Sequence, residues 1–271
     1  MPEITFAVIT KNEETQIAEC LKGAAWSDEI LVLDSFSSDR TVEIARLYTD
    51  RVFRREFTSF PHQRNNALSL ATGDWVLFVD ADERVTPELA GEVRAVVRDQ
   101  ADRGSTHGFW IPRKDIIWGK WIRHGGWYPD YQLRLLERNK ARYDESRQVH
   151  ELVQLEGQAG YLRNPFVHYN YHSVGQFLAK QRVYTTFEAT ILHDRGIRPR
   201  PHNFILQPLR AFKRRYLDLQ GYRDGGHGFL LATLLAYYEF VTYRKLQAMR
   251  RNDRPRFSSG SSATDRAPRS R

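Results

Sequence analysis

Three short stretches of the chain, Ile4–Thr10 (ITFAVIT), Glu29–Asp34 (EILVLD) and Trp75–Val79 (WVLFV), are apolar almost without a break and rich in β-branched residues. A strand with one wet face alternates polar and apolar positions. A run without alternation is a strand buried on both faces, the pattern of a parallel sheet covered by helices. Between the runs the period changes. Glu13–Gly23 has the spacing of a short helix stopped by a glycine. Ser37-Ser38-Asp39 supplies capping residues for Arg40–Tyr48, where Val42, Ile44, Ala45 and Tyr48 form a partly apolar face. Val52–Phe53 is a weak strand, and Gln63–Ala71 is helical up to Thr72-Gly73. Strand and helix alternating in this way predict an α/β fold, a mostly parallel sheet flanked by helices.

The rest of the chain is less regular. Pro87–Arg98 has a helical pattern, residues 108–155 mix strands and loops dense in Trp and Gly, and Val174–His193 is amphipathic. Arg198-Pro-Arg-Pro201 breaks the chain before two more helical stretches, Phe204–Leu219 and Gly228–Lys245, joined by Gly221–Gly226. After Arg251 the sequence is rich in Arg, Ser, Pro and Gly with one aromatic, a composition that predicts disorder. No internal repeat is present. The single cysteine, Cys20, rules out an internal disulfide framework and a cysteine-cluster metal site. No basic segment precedes the first apolar run, so no secretory signal is expected. Gly228–Val241 carries Glu239 and falls short of the ~20 apolar residues that a membrane span needs. The expectation is a cytoplasmic protein, peripheral on the cytoplasmic face of the inner membrane.

The net charge of +8 suggests nucleic acid until it is divided along the chain. Residues 1–100 hold 11 Lys and Arg against 18 Asp and Glu; residues 101–250 hold 24 against 13. A nucleic-acid binder concentrates positive charge on its folded body and carries a recognisable docking motif, and this chain has no such motif. No specific nucleic-acid partner is expected.

The motifs for a P-loop, a dinucleotide fingerprint and a nucleophile elbow are all missing. A doubly wound sheet binds its ligand at the carboxyl ends of its strands. Those ends are Thr10-Lys11-Asn12-Glu13, Asp34-Ser35 and Asp80-Ala81-Asp82, each polar or acidic directly after an apolar run. On an extended segment Asp80 and Asp82 would point to one side, giving two hard oxygen donors for Mg²⁺ or Mn²⁺. The plain alternative is a solvated strand end or a capping pair before Pro87.

AVITKNEE, EILVLDSFSSDRT and ATGDWVLFVDADE, in that order, resemble the donor half of a family 2 glycosyltransferase with the GT-A fold. HGGWYPDYQLRL, then VHE and VHYNYHS, resemble the subgroup containing bacterial lipopolysaccharide-core β-glucosyltransferases. The likeness spans about residues 3–245. It implies a GT-A catalytic domain over 1–200, with the donor half at about 1–105 and the acceptor half at about 106–200. C-terminal amphipathic helices would follow at 201–250, then a basic tail at 251–271.

The same resemblance assigns roles. Thr10, Asn12 and Glu13 would border the nucleotide, Asp34 would accept a hydrogen bond from the base, and Asp39 and Arg64 would flank the pocket. Asp80, Ala81 and Asp82 form the D-x-D motif, with Asp80 and Asp82 as metal residues, Asp82 preferred over Asp80 as the direct ligand of a divalent cation, and His168 completing its shell. The metal would neutralise a diphosphate that otherwise faces an acidic pocket. Glu151, where the family carries its x-E-D motif, is the first candidate for the base, and Asp130 is the rival. Trp118, Trp121, Trp127 and Tyr128 suit either sugar stacking or core packing.

The implied reaction is inverting transfer of a hexose, most plausibly glucose from a UDP-sugar, to a lipopolysaccharide-core or other lipid-linked glycan. Arg210, Lys213, Arg214 and Arg215 interleave with Leu209, Phe212, Tyr216 and Leu217, a pattern suited to an anionic membrane surface. Two alternatives stay open: a sugar-phosphate nucleotidyltransferase, and a non-catalytic peripheral membrane-binding protein.

Overall fold

The computed structural model of the chain describes residues 2–146 and 153–253. The donor half runs β1 (Ile4–Thr10), α1 (Ile17–Lys22), β2 (Glu29–Asp34), α2 (Thr41–Ala45), β3 (Val52–Arg54), α3 (Phe60–Leu70), β4 (Trp75–Asp80), β5 (Glu83–Arg84) and α4 (Pro87–Arg103). Then come β6 (Thr106–Ile117), β7 (Lys120–Trp121), β8 (Asp130–Glu137), β9 (Ala141–Tyr143), β10 (Val153–Leu155), β11 (Gln158–Tyr161) and β12 (Phe166–Tyr171). The chain closes on three long helices, α5 (Val174–Asp194), α6 (Asn203–Phe212) and α7 (Gly226–Asn252).

Among the described residues the main sheet has the order β3-β2-β1-β4-β8-β6-β12-β5. Strands β1 to β4 are parallel, with Thr10 opposite Asp34 and Ile9 opposite Asp80. This register brings the polar ends of the three apolar runs to one edge, as the sequence requires. β8 joins antiparallel to β4 and β6, while β12 lies parallel to β6, so the acceptor half is mixed rather than parallel. The result is the α/β architecture with a C-terminal helical extension expected from the GT-A resemblance.

Strand periodicity accounts for burial on both faces. Ile4, Phe6 and Val8 of β1 enter one core with Leu21, Leu89 and Val93 from α1 and α4. Ala7, between them, enters a second core with Leu31, Leu33, Ala67 and Leu68, against α3. Both faces are covered, so apolar side chains are needed on each, which is why the runs show no alternation. A fully buried Phe6 or Leu77 contributes roughly 1.5–3 kcal/mol. A third core joins Ile117 and Tyr171 to Phe177 of α5 and Leu231 and Tyr238 of α7, fastening the C-terminal helices to the sheet.

Helix boundaries follow capping chemistry. The α3 helix begins at Ser59, whose hydroxyl accepts from the His62 amide, with Pro61 in the first turn. Thr86 and Ser173 cap α4 and α5 in the same way, and Gly104 closes α4 in a left-handed conformation. The stretch expected as one helix over Phe204–Leu219 divides at Lys213, where a π-helical turn (Lys213–Asp218) replaces the α-helix. Among the described residues no helix is long and apolar enough to cross a membrane. The expected disordered tail from residue 254 onward lies outside the described residues.

Candidate active site

A cavity of about 610 Å³ opens at the carboxyl ends of β1 and β4. Its walls carry Thr10, Lys11 and Glu13 after β1, Asp80, Ala81 and Asp82 after β4, and Arg64 from α3. The acceptor half adds Arg113 from β6, Arg134 from β8, His168 from β12 and Lys180 from α5.

Two loops shape the floor. Asn12 and Phe36 both adopt left-handed backbone conformations at the ends of β1 and β2. Such conformations are costly away from glycine and persist where the surroundings fix them. Here the Asn12 amide donates to Ser37 Oγ at 2.8 Å, and Asn12 Oδ1 accepts from the Ser38 amide at 2.8 Å. Asp34 is fully buried beneath this clasp, accepting from the Ser37 amide and hydroxyl, with the Arg54 guanidinium 3.4 Å away. Asp39 accepts from the amides of Glu14 and Thr41. Asn12, Asp34 and Asp39 therefore hold the loops together and do not line the cavity. Thr10 does line it, and its buried hydroxyl oxygen finds no hydrogen-bond partner among the described residues. Buried polar atoms are almost always satisfied, so this hydroxyl, closed to solvent beside the cavity, is an unmet demand at its edge.

The D-x-D carboxylates share the cavity without pointing the same way. The β4 strand stops at Asp80 and the chain turns through Ala81 and Asp82, so the extended geometry expected of the motif does not hold. Asp80 accepts from Arg134 at 2.6 Å and from Arg64 at 3.3 Å, two arginines that are themselves buried. Asp82 faces His168 instead, with Nε2 3.4 Å from Oδ2. On its other side His168 Nδ1 lies 2.6 Å from the buried Asp115. Burial disfavours the imidazolium, but the flanking Asp115 and Asp82 outweigh it and push His168 up to about 9. Burial also acts to raise Asp82, yet His168 and Lys180 hold its carboxyl below the usual range. Glu13 goes the other way, raised by burial and then by the charge of Asp82.

Beneath this layer sits Glu83, fully buried, with one oxygen accepting from the Asp80 amide at 2.9 Å. Burial and the charge of Asp80 push its carboxyl up to about 8. Arg113 lies 3.8 Å from it and also grips Asp130, donating from Nε at 2.8 Å. The other Asp130 oxygen accepts from Gln132 at 3.0 Å. The Glu151 position lies outside the described residues.

The expectation of an acidic pocket is corrected. Lys11, Arg64, Arg113, Arg134, Lys180 and His168 face Glu13, Asp80 and Asp82, so cationic side chains predominate on the walls. Sequence reading of strand ends found the acids, because they follow the apolar runs directly. It missed Arg113, Arg134, Asp115 and Lys180, which arrive from later elements. One signal was present: Arg134 interrupts the apolar stretch Leu133–Leu136, where a buried guanidinium demands a carboxylate partner. Of the aromatics considered for sugar stacking, Trp118 and Trp127 pack into the third core, and Trp121 lies between Lys114 and Arg123.

Among the described residues no three His, Cys, Asp or Glu side chains are grouped to hold a metal ion. Asp82 and His168 still offer an oxygen and a nitrogen donor facing one cavity, a half-site whose remaining positions substrate oxygens and water can fill. Asp80, engaged by two arginines, does not fit that role in this arrangement.

A family model described as "Glycosyl transferase family 2" matches residues 5–169. The chain is 28% identical over 245 residues to the lipopolysaccharide core biosynthesis glycosyltransferase LpsC of Rhizobium meliloti, covering 88% of this chain and 90% of that protein. An uncharacterized glycosyltransferase of Rickettsia typhi, RT0209, is 24% identical over 260 residues, covering 92% and 88% of the two chains. Among solved structures, S. aureus TarS 1–349 in complex with UDP superposes with a TM-score of 0.46 at 16% identity, covering 93% of this chain and 92% of that one.

Proposed function

The chain belongs to glycosyltransferase family 2, and from that premise we propose that it transfers a hexose, most plausibly glucose, from a UDP-sugar to a lipopolysaccharide-core or other lipid-linked glycan. The observation that carries the reading is the cavity at the carboxyl ends of β1 and β4. There the orphaned Thr10 hydroxyl, the Asp82–His168 pair and Lys180 meet. The name of the Rhizobium meliloti relative supports the choice of acceptor. Membership of this family favours sugar transfer over the nucleotidyltransferase and scaffold alternatives.

In this reading Thr10 and Glu13 border the nucleotide, while Lys11 and Lys180 offer positive charge to its diphosphate. Asn12, Asp34 and Asp39 act at one remove by fixing the loop that the nucleotide rests on. Asp82 and His168 would hold a divalent cation, which stabilises the diphosphate as a leaving group. Since a metal-bound histidine must be neutral, cation binding would release the His168 proton. Arg64 and Arg134 hold Asp80 and thereby the end of β4. The acceptor hydroxyl attacks the anomeric carbon as the bond to the diphosphate breaks, and the hydroxyl proton passes to a carboxylate. Glu151 is the proposed base. Asp130 is a poor one, because Arg113 and Gln132 between them occupy both of its carboxylate oxygens.

The acceptor's lipid anchor gives the C-terminal helices a role. Ile205, Leu206 and Leu209 are exposed on α6 beside Arg210, Lys213 and Arg214, which suits contact with an anionic membrane surface. A thermal-shift screen of nucleotide sugars with and without Mn²⁺ tests the donor. A UDP-sugar that raises the melting temperature by mass action, more so with Mn²⁺, is the expected result. Stabilisation by no nucleotide sugar would refute the reading.

A further inference from the structure

Away from the main cavity, a second hollow of about 310 Å³ lies where the π-helical turn of Lys213–Asp218 meets the loop containing Gly125 and Gly126. Arg210, Arg214, Arg215, Gly126, Leu219 and Glu239 line it. The Gly125 amide donates to the Leu219 carbonyl at 2.8 Å, and Arg215 Nη1 donates to the Gly125 carbonyl at 3.0 Å, so loop and turn are fastened together.

The arginines that line the hollow differ from their neighbour. Lys213, in the same stretch, pairs with Asp218 at 2.7 Å. Arg210, Arg214 and Arg215 form no ion pair among the described residues. On this wall Arg214 repels Arg215, and Glu239 offsets part of that repulsion. Burial and the charge of Arg214 both act to lower the pKa of Arg215, the expected electrostatic consequence of that crowding. The wider turn, with the Leu219 amide donating five residues back to the Arg214 carbonyl, brings positions 210, 214 and 215 to one wall. Turns of this kind often mark functional sites. The one acid lining the hollow, Glu239, is raised by burial and by Glu188, with Arg215 acting the other way.

We propose that this hollow is a binding site for a phosphomonoester, held by Arg210, Arg214 and Arg215, and separate from the donor cavity. Guanidinium forks match phosphate oxygens in bidentate geometry, which ammonium groups do not. The loop lining the site continues through Trp127, Tyr128 and Pro129 to Asp130, the partner of Arg113 on the wall of the main cavity. An occupied site would thus bear on the acceptor side of the catalytic centre. The inference goes beyond the transfer reaction and stands without it.

The test uses the full chain and two phosphate sources. Inorganic phosphate is titrated at constant ionic strength while the melting temperature is followed. Separately, binding is measured to phosphatidylcholine vesicles containing phosphatidic acid, against vesicles carrying phosphatidylglycerol. Arg210 and Arg214 are exposed, so Arg210→Gln and Arg214→Gln are expected to fold, and circular dichroism checks that. Each variant is expected to weaken the apparent phosphate affinity about tenfold. A response to phosphatidic acid vesicles that exceeds the response to phosphatidylglycerol vesicles, without one to free phosphate, and lost in the same variants, supports the site with a lipid headgroup as its source; equal binding to both vesicles with no response to free phosphate overturns it. Variants that respond to both probes as the wild type does would overturn the proposal, as would a wild type that responds to neither. A phosphate response lost in Lys180→Gln and kept in Arg214→Gln also overturns it, since the anion is then in the donor cavity.

Discussion

Replacing Arg134 with methionine, which keeps much of the side-chain stem and removes the charge, tests how the end of β4 is held. Arg134 is 7% exposed and donates to both oxygens of Asp80, at 2.6 and 3.3 Å. Removing one member of a buried ion pair destabilises by about 3–5 kcal/mol, because the partner charge is stranded. Here Asp80 keeps 34% of its side chain exposed and retains Arg64 at 3.3 Å. Water screening and the second arginine reduce the expected loss to roughly 2 kcal/mol. For a chain of this length that corresponds to a fall in melting temperature of about 4–8 °C. The sharper assay is a double-mutant cycle with Asp80→Asn in urea. Once Asp80 carries no charge, losing Arg134 matters less, so the double variant should be more stable than the sum of the single losses by about 1 kcal/mol. Additive effects, or an Arg134→Met variant within about 0.5 kcal/mol of wild type, would refute the reasoning.

Three further outcomes are expected. His168 and Glu83 both have folded-state pKa values raised above their ordinary ones, to about 9 and about 8. Their contributions are complete below pH ~6.5 and ~4.5 and are lost as pH rises through the folded values. Ligand-free protein should therefore melt at progressively lower temperature between pH 6.5 and 9, with a shallower slope in His168→Gln; a flat profile in both proteins contradicts the assignment. Introducing Asp at Ile205 and Leu209, both exposed on α6, should reduce co-sedimentation with anionic vesicles and leave transfer to a water-soluble acceptor intact. Equal sedimentation of this variant and the wild type rules out α6 as the contact. Glu151→Gln should lower transfer by at least about a hundredfold while sparing UDP binding, with Asp130→Asn affecting transfer less. The reverse ranking makes Asp130 the base.

The donor half was the more legible part of the sequence, for a physical reason. A strand buried on both faces leaves an uninterrupted apolar run, and a parallel sheet gathers the ends of such runs at one edge. Ile4–Thr10, Glu29–Asp34 and Trp75–Val79 therefore indicated both sheet and site edge, and the register of Thr10 with Asp34 and of Ile9 with Asp80 follows that logic. Side-chain direction was less legible. The D-x-D segment bends after Asp80, so spacing alone misjudged where its carboxylates aim. The cationic wall depends on long-range pairing, since Arg134, Arg113 and Lys180 meet Asp80, Glu83 and Asp82 only after β6, β8 and α5 pack. The break of α6 into a π-helical turn likewise had no local signature, because Lys, Arg, Tyr and Leu at 213–217 are all tolerated in an ordinary helix.

In the proposed mechanism Asp82 and His168 act together at a diphosphate site. Isothermal titration of UDP in the presence of Mn²⁺, into wild type and Asp82→Asn, addresses that directly. One UDP per chain is expected, with affinity at least about tenfold weaker in the variant and proton release on Mn²⁺ binding to the wild type. A wild-type chain that takes up no UDP, or an Asp82→Asn variant that binds it as tightly, contradicts the central claim.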